Sequence, residues 1–302
     1  MNDRRERVLL VGDNPFHGIS HLSQERSRMR GDNSTLAEQA ANLVILSCEN
    51  GADGFMFSVS DLTLSILRKI NESGKNVSLD LYPIVPYMYE YVRLANQLGG
   101  IPGLAKRFAK ELVTSRNLKA IVYGLDGAAR ADITSLTKAY LAYEISRTKS
   151  SAGKQANLRS MLLHATITDM ALALNMNWLF KAYVDFMSNQ RITPGFNTGN
   201  FAYLVSKFKE WDLDVGTIVI AAPFNKVGFQ MNPSREECEK VLEILPEPTV
   251  IAISILAAGY LKPLEAADYI AILPNIKGVA IGVSKESHAR ETFKFVRMRL
   301  TR

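Results

Sequence analysis

Apolar and polar positions along this 302-residue chain follow two periods, and the two periods take turns. Short runs rich in Val, Ile, Leu and Phe occupy residues 8–11, 54–59, 77–85, 120–125, 161–167, 192–196, 217–222, 250–255 and 279–283. Runs this short and this apolar predict strands buried on both faces. Between them apolar residues recur at helical spacing. Leu36, Ala40, Leu43, Val44 and Ser47 form one stripe, opened by Thr35-Leu36-Ala37-Glu38, which reads as a capping box. Cys238, Val241, Leu242 and Leu245 mark a helix over 234–245, and Leu264, Ala267, Ile270 and Ala271 mark one over 264–273. Ala289, Phe293, Val296 and Leu300 share one face of a C-terminal helix.

Strands that alternate with helices predict βα units and a parallel sheet. At this length they predict the α/β class and one (β/α)8 TIM barrel, with residues 1–302 as a single domain, since no linker of shifted composition divides the chain. Nine candidate strands compete for eight places. The weakest placed are 77–85 and 120–125, because the long segment between them is broken by Gly99-Gly100-Ile101-Pro102-Gly103. An inserted helical segment is therefore expected over about 86–117, and disorder over the polar stretch 150–158.

Composition narrows the partners. With 47% hydrophobic and 22% charged residues the chain reads as an ordinary globular protein. Its longest apolar runs, 250–253 and 255–258, fall far short of the roughly 20 residues of a membrane span. The first residues are charged and lead straight into a strand, so a cytoplasmic protein is expected. The net charge is +6, but Arg26, Arg28 and Arg30 share their loop with Glu25 and Asp32. That spread favours a surface attracting anionic metabolites over a nucleic-acid interface. Cys48 and Cys238 fall in helical patterns and read as buried thiols, without the spacing of a disulfide framework or a metal pair.

In a parallel barrel the strand C-termini carry the chemistry. Gly282-Val283-Ser284 ends the last strand where a helix opens at Lys285, and first-turn N–H groups without helical partners make such a turn a phosphate cradle. Gly282, Ser284 and Lys285 are its candidate residues. After the first strand, Asp13-Asn14-Pro15-Phe16-His17-Gly18 leads to His21 and Arg26. Asp13 and His17 are candidate acid/base groups there, the alternative being a turn that caps itself. His164 lies at the end of another strand, where alternation with Leu163 and Ala165 lets it face the lumen or the helices. Three Gly- and Asn-rich strand ends, 194–200, 222–228 and 254–260, offer Asn200, Asn225 and Gly259 to a planar polar ligand. Whether a metal binds stays open, with no HxH or HExxH spacing to support one. GxGxxG, P-loop, CxxC and GxSxG patterns are absent.

Several of these segments together resemble the aldo-keto reductase superfamily. Leu162-Leu163-His164 is similar to the family's strand ending in its site histidine. Residues 195–201, with Asn200-Phe201, are similar to its Gly-x-Ser-Asn-Phe turn, two residues longer. Residues 254–259 resemble the strand ending in Ser-Pro-Leu, with Ile255 in place of the proline. Gly282-Val283-Ser284 matches the Gly-x-Ser turn that receives the adenosine phosphate of NADP. The resemblance covers about half the chain, from Met161 onward, and implies an oxidoreductase barrel with NADP as cofactor. In the N-terminal half, Phe55 to Asp61 lacks the family's Asp and Tyr in register, 77–85 lacks its strand lysine, and Thr292 stands where an asparagine is expected. Three functions follow as expectations. The first is a divergent carbonyl oxidoreductase binding a phosphate-bearing cofactor or substrate. The second is a cofactor-free aldolase, lyase or isomerase on a small phosphorylated metabolite, and the third is a non-catalytic ligand-binding barrel.

Overall fold

The two-period pattern folds into strands that each lead to a helix, in a computed structural model that describes residues 7–18, 33–75, 77–100, 103, 106–107, 110–111, 120–124, 126, 132–245 and 249–300. The strands are β1 Val8–Gly12, β2 Gly54–Ser58, β3 Leu79–Val85, β4 Ala156–Leu158, β5 Ser160–Leu163, β6 Thr193–Asn197, β7 Val219–Pro223, β8 Thr249–Ile253 and β9 Ile276–Gly282. The helices described from end to end are α1 Asn33–Glu49, α2 Asp61–Glu72, α3 Met88–Gln97, α4 Ile133–Ala152, α5 Ala165–Ala173, α6 Asn177–Asn189, α7 Phe201–Glu210, α8 Arg235–Ile244, α9 Pro263–Ile272 and α10 Glu286–Leu300. Every strand pairing is parallel, and the ladder β1-β2-β3-β5-β6-β7-β8-β9 returns to β1. The result is a closed eight-stranded (β/α)8 barrel.

Two strands share the fourth place. β4 pairs with the start of β3 and β5 with its end, and the register advances by one residue between them. The extra residue is Arg159, whose N–H donates to Leu81 O at 3.1 Å and whose Nε lies 2.9 Å from Asp80 Oδ1. Such a bulge lets one strand bend without losing its place in the sheet.

The ninth candidate strand is not a strand. Residues 120–124 are helical, and Ala120 is fully buried. The β-branched run there is overridden by tertiary packing, whereas 77–85 supplies β3. The helical layer also runs past the expected 117, since α4 reaches Ala152 and packs on α2. Its buried face carries Ser135, Glu144, Thr148 and Ser151, so no clean apolar stripe announces it. The stretch 150–158 is ordered as the end of α4, a Gly153 cap and β4. The strand expected over 161–167 stops at Leu163, and Ile167 lies in α5. α1 begins at Asn33, so Thr35 lies inside the helix instead of capping it.

Leu10, Met56, Tyr82, Ile84, Leu162, Val219, Ala221, Ile251 and Ala280 fill the lumen, while a larger apolar core lies between barrel and helices. On the side away from the mouth, Arg297 of α10 donates to the carbonyls of Gly51 and Arg7 and pairs with the Asp53 carboxylate. Closure depends on one close approach. Gly54 lies opposite Asp80, and a Cβ at 54 would collide with the Asp80 carbonyl oxygen. Since neither backbone can yield without opening the ladder, Gly54→Ala is expected to cost about 3 kcal/mol, the upper end of the usual range for overpacking. Urea denaturation will read this as a lower midpoint.

Candidate functional site

The C-terminal ends of the strands open into a cavity of about 440 Å³. Strand parity supplies much of its wall. Leu10, Met56, Leu162 and Ala280 face the lumen, so the residues two further on, Gly12, Ser58, His164 and Gly282, face the mouth. By the same parity Gly195 and Asn197 point inward from β6. The loop after β1 adds Asp13, Asn14 and Pro15, and the loop after β8 adds Ser254, Ala258 and Gly259, while Ser284 follows β9.

Asp13 is buried, and its Oδ2 accepts the N–H of Ser58 at 2.6 Å and lies 3.1 Å from His17 Nε2. Its Oδ1 makes no hydrogen bond among the described residues. Asp13 thus presents one oxygen to the cavity while the other is held by β2 and His17. Pro15 packs on Gly282, where any Cβ would lie 2.8 Å from the proline ring, and this contact seats the whole loop against β9.

His164 caps α5. Its backbone is extended, and its Nδ1 accepts the N–H of Thr166 at 3.2 Å. The neutral ring therefore carries its proton on Nε2, which has no partner among the described residues. Burial pushes its pKa below the ordinary imidazole value, and the Asp13 and Asp169 carboxylates oppose the shift. The ring is a neutral donor aimed at the cavity.

Asn197 is held from both sides. Its neighbour Phe196 faces outward into a cluster of Phe180, Tyr183 and Phe208. Behind it, Asp169 of α5 accepts from Thr198 Oγ1 at 2.5 Å and from Gly199 N at 3.0 Å, and Thr198 Oγ1 accepts from Asn200 N at 2.9 Å. On this rigid turn Asn197 Oδ1 is buried without a hydrogen-bond partner. An orphaned buried acceptor costs on the order of 1–3 kcal/mol, a cost that a ligand N–H removes.

Of the residues expected from sequence, the structure brings Asp13, His164, Gly259, Gly282 and Ser284 to one cavity. His17 lies behind Asp13, its ring tilted 35° to that of Tyr87 with centroids 4.7 Å apart, and borders a second cavity. Asn225 departs from expectation. It is fully buried, its Nδ2 donates to Phe229 O and its Oδ1 accepts from Phe229 N, both at 2.8 Å, so it staples its own loop. Asn200 sits at the N-terminal cap of α7 outside the cavity lining, and Lys285 is exposed beyond it. His21 and Arg26 lie outside the described residues. Asn197, Ser58 and Ser254 are the additions, and for Asn197 the signal was the parity shared with Gly195.

No tyrosine or lysine is among the described residues lining the cavity. Tyr82 lies deeper in the lumen, with its pKa pushed up to about 12 chiefly by burial and also by Asp80. Thr292, in place of the expected asparagine, is buried in α10. No group of three or more His, Cys, Asp or Glu among the described residues is placed to hold a metal ion, and none of their helices is long and apolar enough to cross a membrane.

Barrel and cavity together define a TIM barrel with a candidate site at the C-terminal ends of its strands. A solved structure of a Pseudomonas aeruginosa protein provisionally named an aldo-keto reductase superposes on it with a TM-score of 0.55 at 10% identity, covering 97% of this chain and 90% of that one. A second solved structure of a provisionally named aldo-keto reductase from the same organism gives 0.54 at 9% identity, with the same coverage. No family model matches the chain, and no curated protein matches its sequence. At such identity the likeness is one of fold alone.

Two outcomes are expected from these contacts. Asn197→Leu removes an orphaned acceptor and should leave stability unchanged or raise it by about 1 kcal/mol, as thermal denaturation will show. For His164, the unfolded ring titrates near its ordinary pKa of about 6.5 and the folded ring below it. The unfolded state therefore binds the proton first, and stability is lost as pH falls through that window. The melting midpoint of the wild type should drop more steeply from about pH 7 to pH 5 than that of His164→Gln.

Proposed function

We propose that the protein is an enzyme acting on the carbonyl group of a small anionic or phosphorylated ligand, as a nicotinamide-dependent oxidoreductase. The observation that carries this reading is the meeting of Asp13, His164, Asn197 and the Gly282 to Ser284 turn around one cavity.

Two features suit a nicotinamide cofactor. The orphaned Asn197 Oδ1 accepts the kind of N–H that a carboxamide offers. The turn at the start of α10 suits a phosphate such as that of NADP, because the first N–H groups of a 15-residue helix lack helical partners. When bound, a reduced nicotinamide supplies hydride to a carbonyl carbon. The chain supplies the rest. His164 Nε2–H donates to the carbonyl oxygen and polarises it, and Asp13, with Oδ1 toward the cavity, handles the proton.

A second reading is favoured by the absence of tyrosine and lysine from the described lining. A carboxylate that shares a cavity with a neutral imidazole donor is a base paired with an electrophile. That pairing suits proton removal beside a carbonyl, the chemistry of a cofactor-free isomerase or lyase.

Thermal denaturation with NADPH and NADH separates the two. Micromolar affinity corresponds to about 8 kcal/mol of binding free energy. At a hundred times its Kd the cofactor should stabilise the fold by about 2.7 kcal/mol. Ser284→Asp, which sets a carboxylate where the phosphate would lie, should weaken NADPH at least ~10-fold, about 1.4 kcal/mol. An unmoved midpoint with both nucleotides would sink the oxidoreductase reading and leave the proton-transfer one.

A further inference from the structure

Beneath the loops after β1, β2 and β3 lies a second cavity of about 400 Å³, bordered by His17, Ser60, Asp61, Tyr87, Glu90 and Arg93. Between it and the reaction cavity, Asp13 Oδ2 lies 3.1 Å from His17 Nε2. Asp13 borders the first cavity and His17 the second. Both side chains are more than nine-tenths buried, at 7% and 8% exposure, so neither belongs to the open surface.

We propose that His17 is a proton relay, which connects Asp13 to water in the second cavity while ligand fills the first. The proposal rests on the reading above, in which Asp13 exchanges a proton with the ligand. In the reductive direction the carbonyl oxygen takes a proton from the Asp13 carboxyl group and leaves a carboxylate. His17, as imidazolium, returns a proton from Nε2 to that carboxylate, and its ring is reprotonated from the second cavity. For proton abstraction the same steps run backward. Asp13 takes the proton, passes it to Nε2 of a neutral His17, and the imidazolium releases one proton to the second cavity. Each cycle restores both groups and moves one proton between the two cavities.

The geometry supports this over a purely structural pair. A structural partner only has to orient Asp13, and Ser58 N already holds the same oxygen at 2.6 Å. Imidazole has two nitrogens on opposite edges, so it can take a proton on one and release one from the other. The second cavity is polar. Glu90 in its wall has its pKa raised, first by burial and then by Asp61, while Arg147 pairs with Asp61 at 2.8 Å. Among the described residues, Asp61, Glu90, Arg93 and Tyr87 are the other ionisable groups that border this cavity.

The test uses the full chain and two assays. One follows NADPH oxidation with short-chain aldehydes. The other follows deuterium uptake beside the carbonyl of dihydroxyacetone phosphate in heavy water, without cofactor. In whichever assay the wild type turns over, His17→Ala should be slower by ~10²–10⁴, the range for a lost proton-transfer group. Added imidazole should restore at least about tenfold of that loss by diffusing into the space vacated. His17→Gln, which can still hydrogen-bond Asp13 but cannot carry a proton, should be as slow as His17→Ala. Circular dichroism checks folding, and if His17→Ala does not fold, His17→Gln carries the test. A His17→Gln rate within about threefold of wild type, or a slow His17→Ala that imidazole does not rescue, overturns the relay and leaves the functional reading standing. Failure of the wild type in both assays overturns that reading, and the relay with it.

Discussion

Everything at the mouth of this barrel depends on closure through the β2 and β3 ladder. With Gly54 against Asp80 and no side chain between, the two strands stay in register over five residues. Closure then fixes parity around the ring, because a parallel strand shows every second residue to the lumen. The lower layers of that lumen take Leu10, Met56, Leu162 and Ala280. Two positions later the same strands offer Gly12, Ser58, His164 and Gly282. The site is thus the last inward layer of the barrel, where small and polar residues replace bulky apolar ones and leave a cavity unfilled.

The polar residues of that layer are held from behind. Asp169 and Thr198 fix the turn after β6, the aromatic cluster around Phe196 anchors the strand, and Ser58 N holds one oxygen of Asp13. Groups held this way face a ligand without reorganising, which is what electrostatic preorganisation requires. The cost falls on Asn197, whose Oδ1 is buried unpaired while the outward Phe196 is fully packed. Free energy that packing on one face of β6 contributes is partly given back on the other.

Much of the fold was legible because buried parallel strands and amphipathic helices write different periods. What misled was local propensity at 120–125, where Ile121, Val122 and Tyr123 favour a strand but the packing makes a helix. α4 was hidden by the opposite fault, a buried face rich in polar residues. The one-residue bulge at Arg159 leaves no pattern of its own, since a bulge is a property of pairing and not of composition. At the site, His164 and Asp13 could be named from their strand ends, but the orientation of His164 waited on the parity of Leu162. Asn200, not Asn197, aligns with the family's asparagine because the matching turn is two residues longer here. Length shifted the motif while the barrel kept the strand end in place.

This contrast bears on what a shared fold carries at about 10% identity. The phosphate site proposed at Gly282 and Ser284 would use main-chain N–H groups at a helix start, so it needs little more than a strand, a tight turn and a helix in that order. Such a feature depends on the main chain more than on the side chains it carries. A proton donor is a side chain, and it can arise at any strand end that reaches the same cavity. Here the lining lacks tyrosine and lysine among the described residues, yet it holds a carboxylate from the end of β1 and a neutral imidazole from the end of β5. Backbone geometry therefore argues for where a ligand is anchored. The chemistry has to be argued from Asp13 and His164, on this chain's own terms.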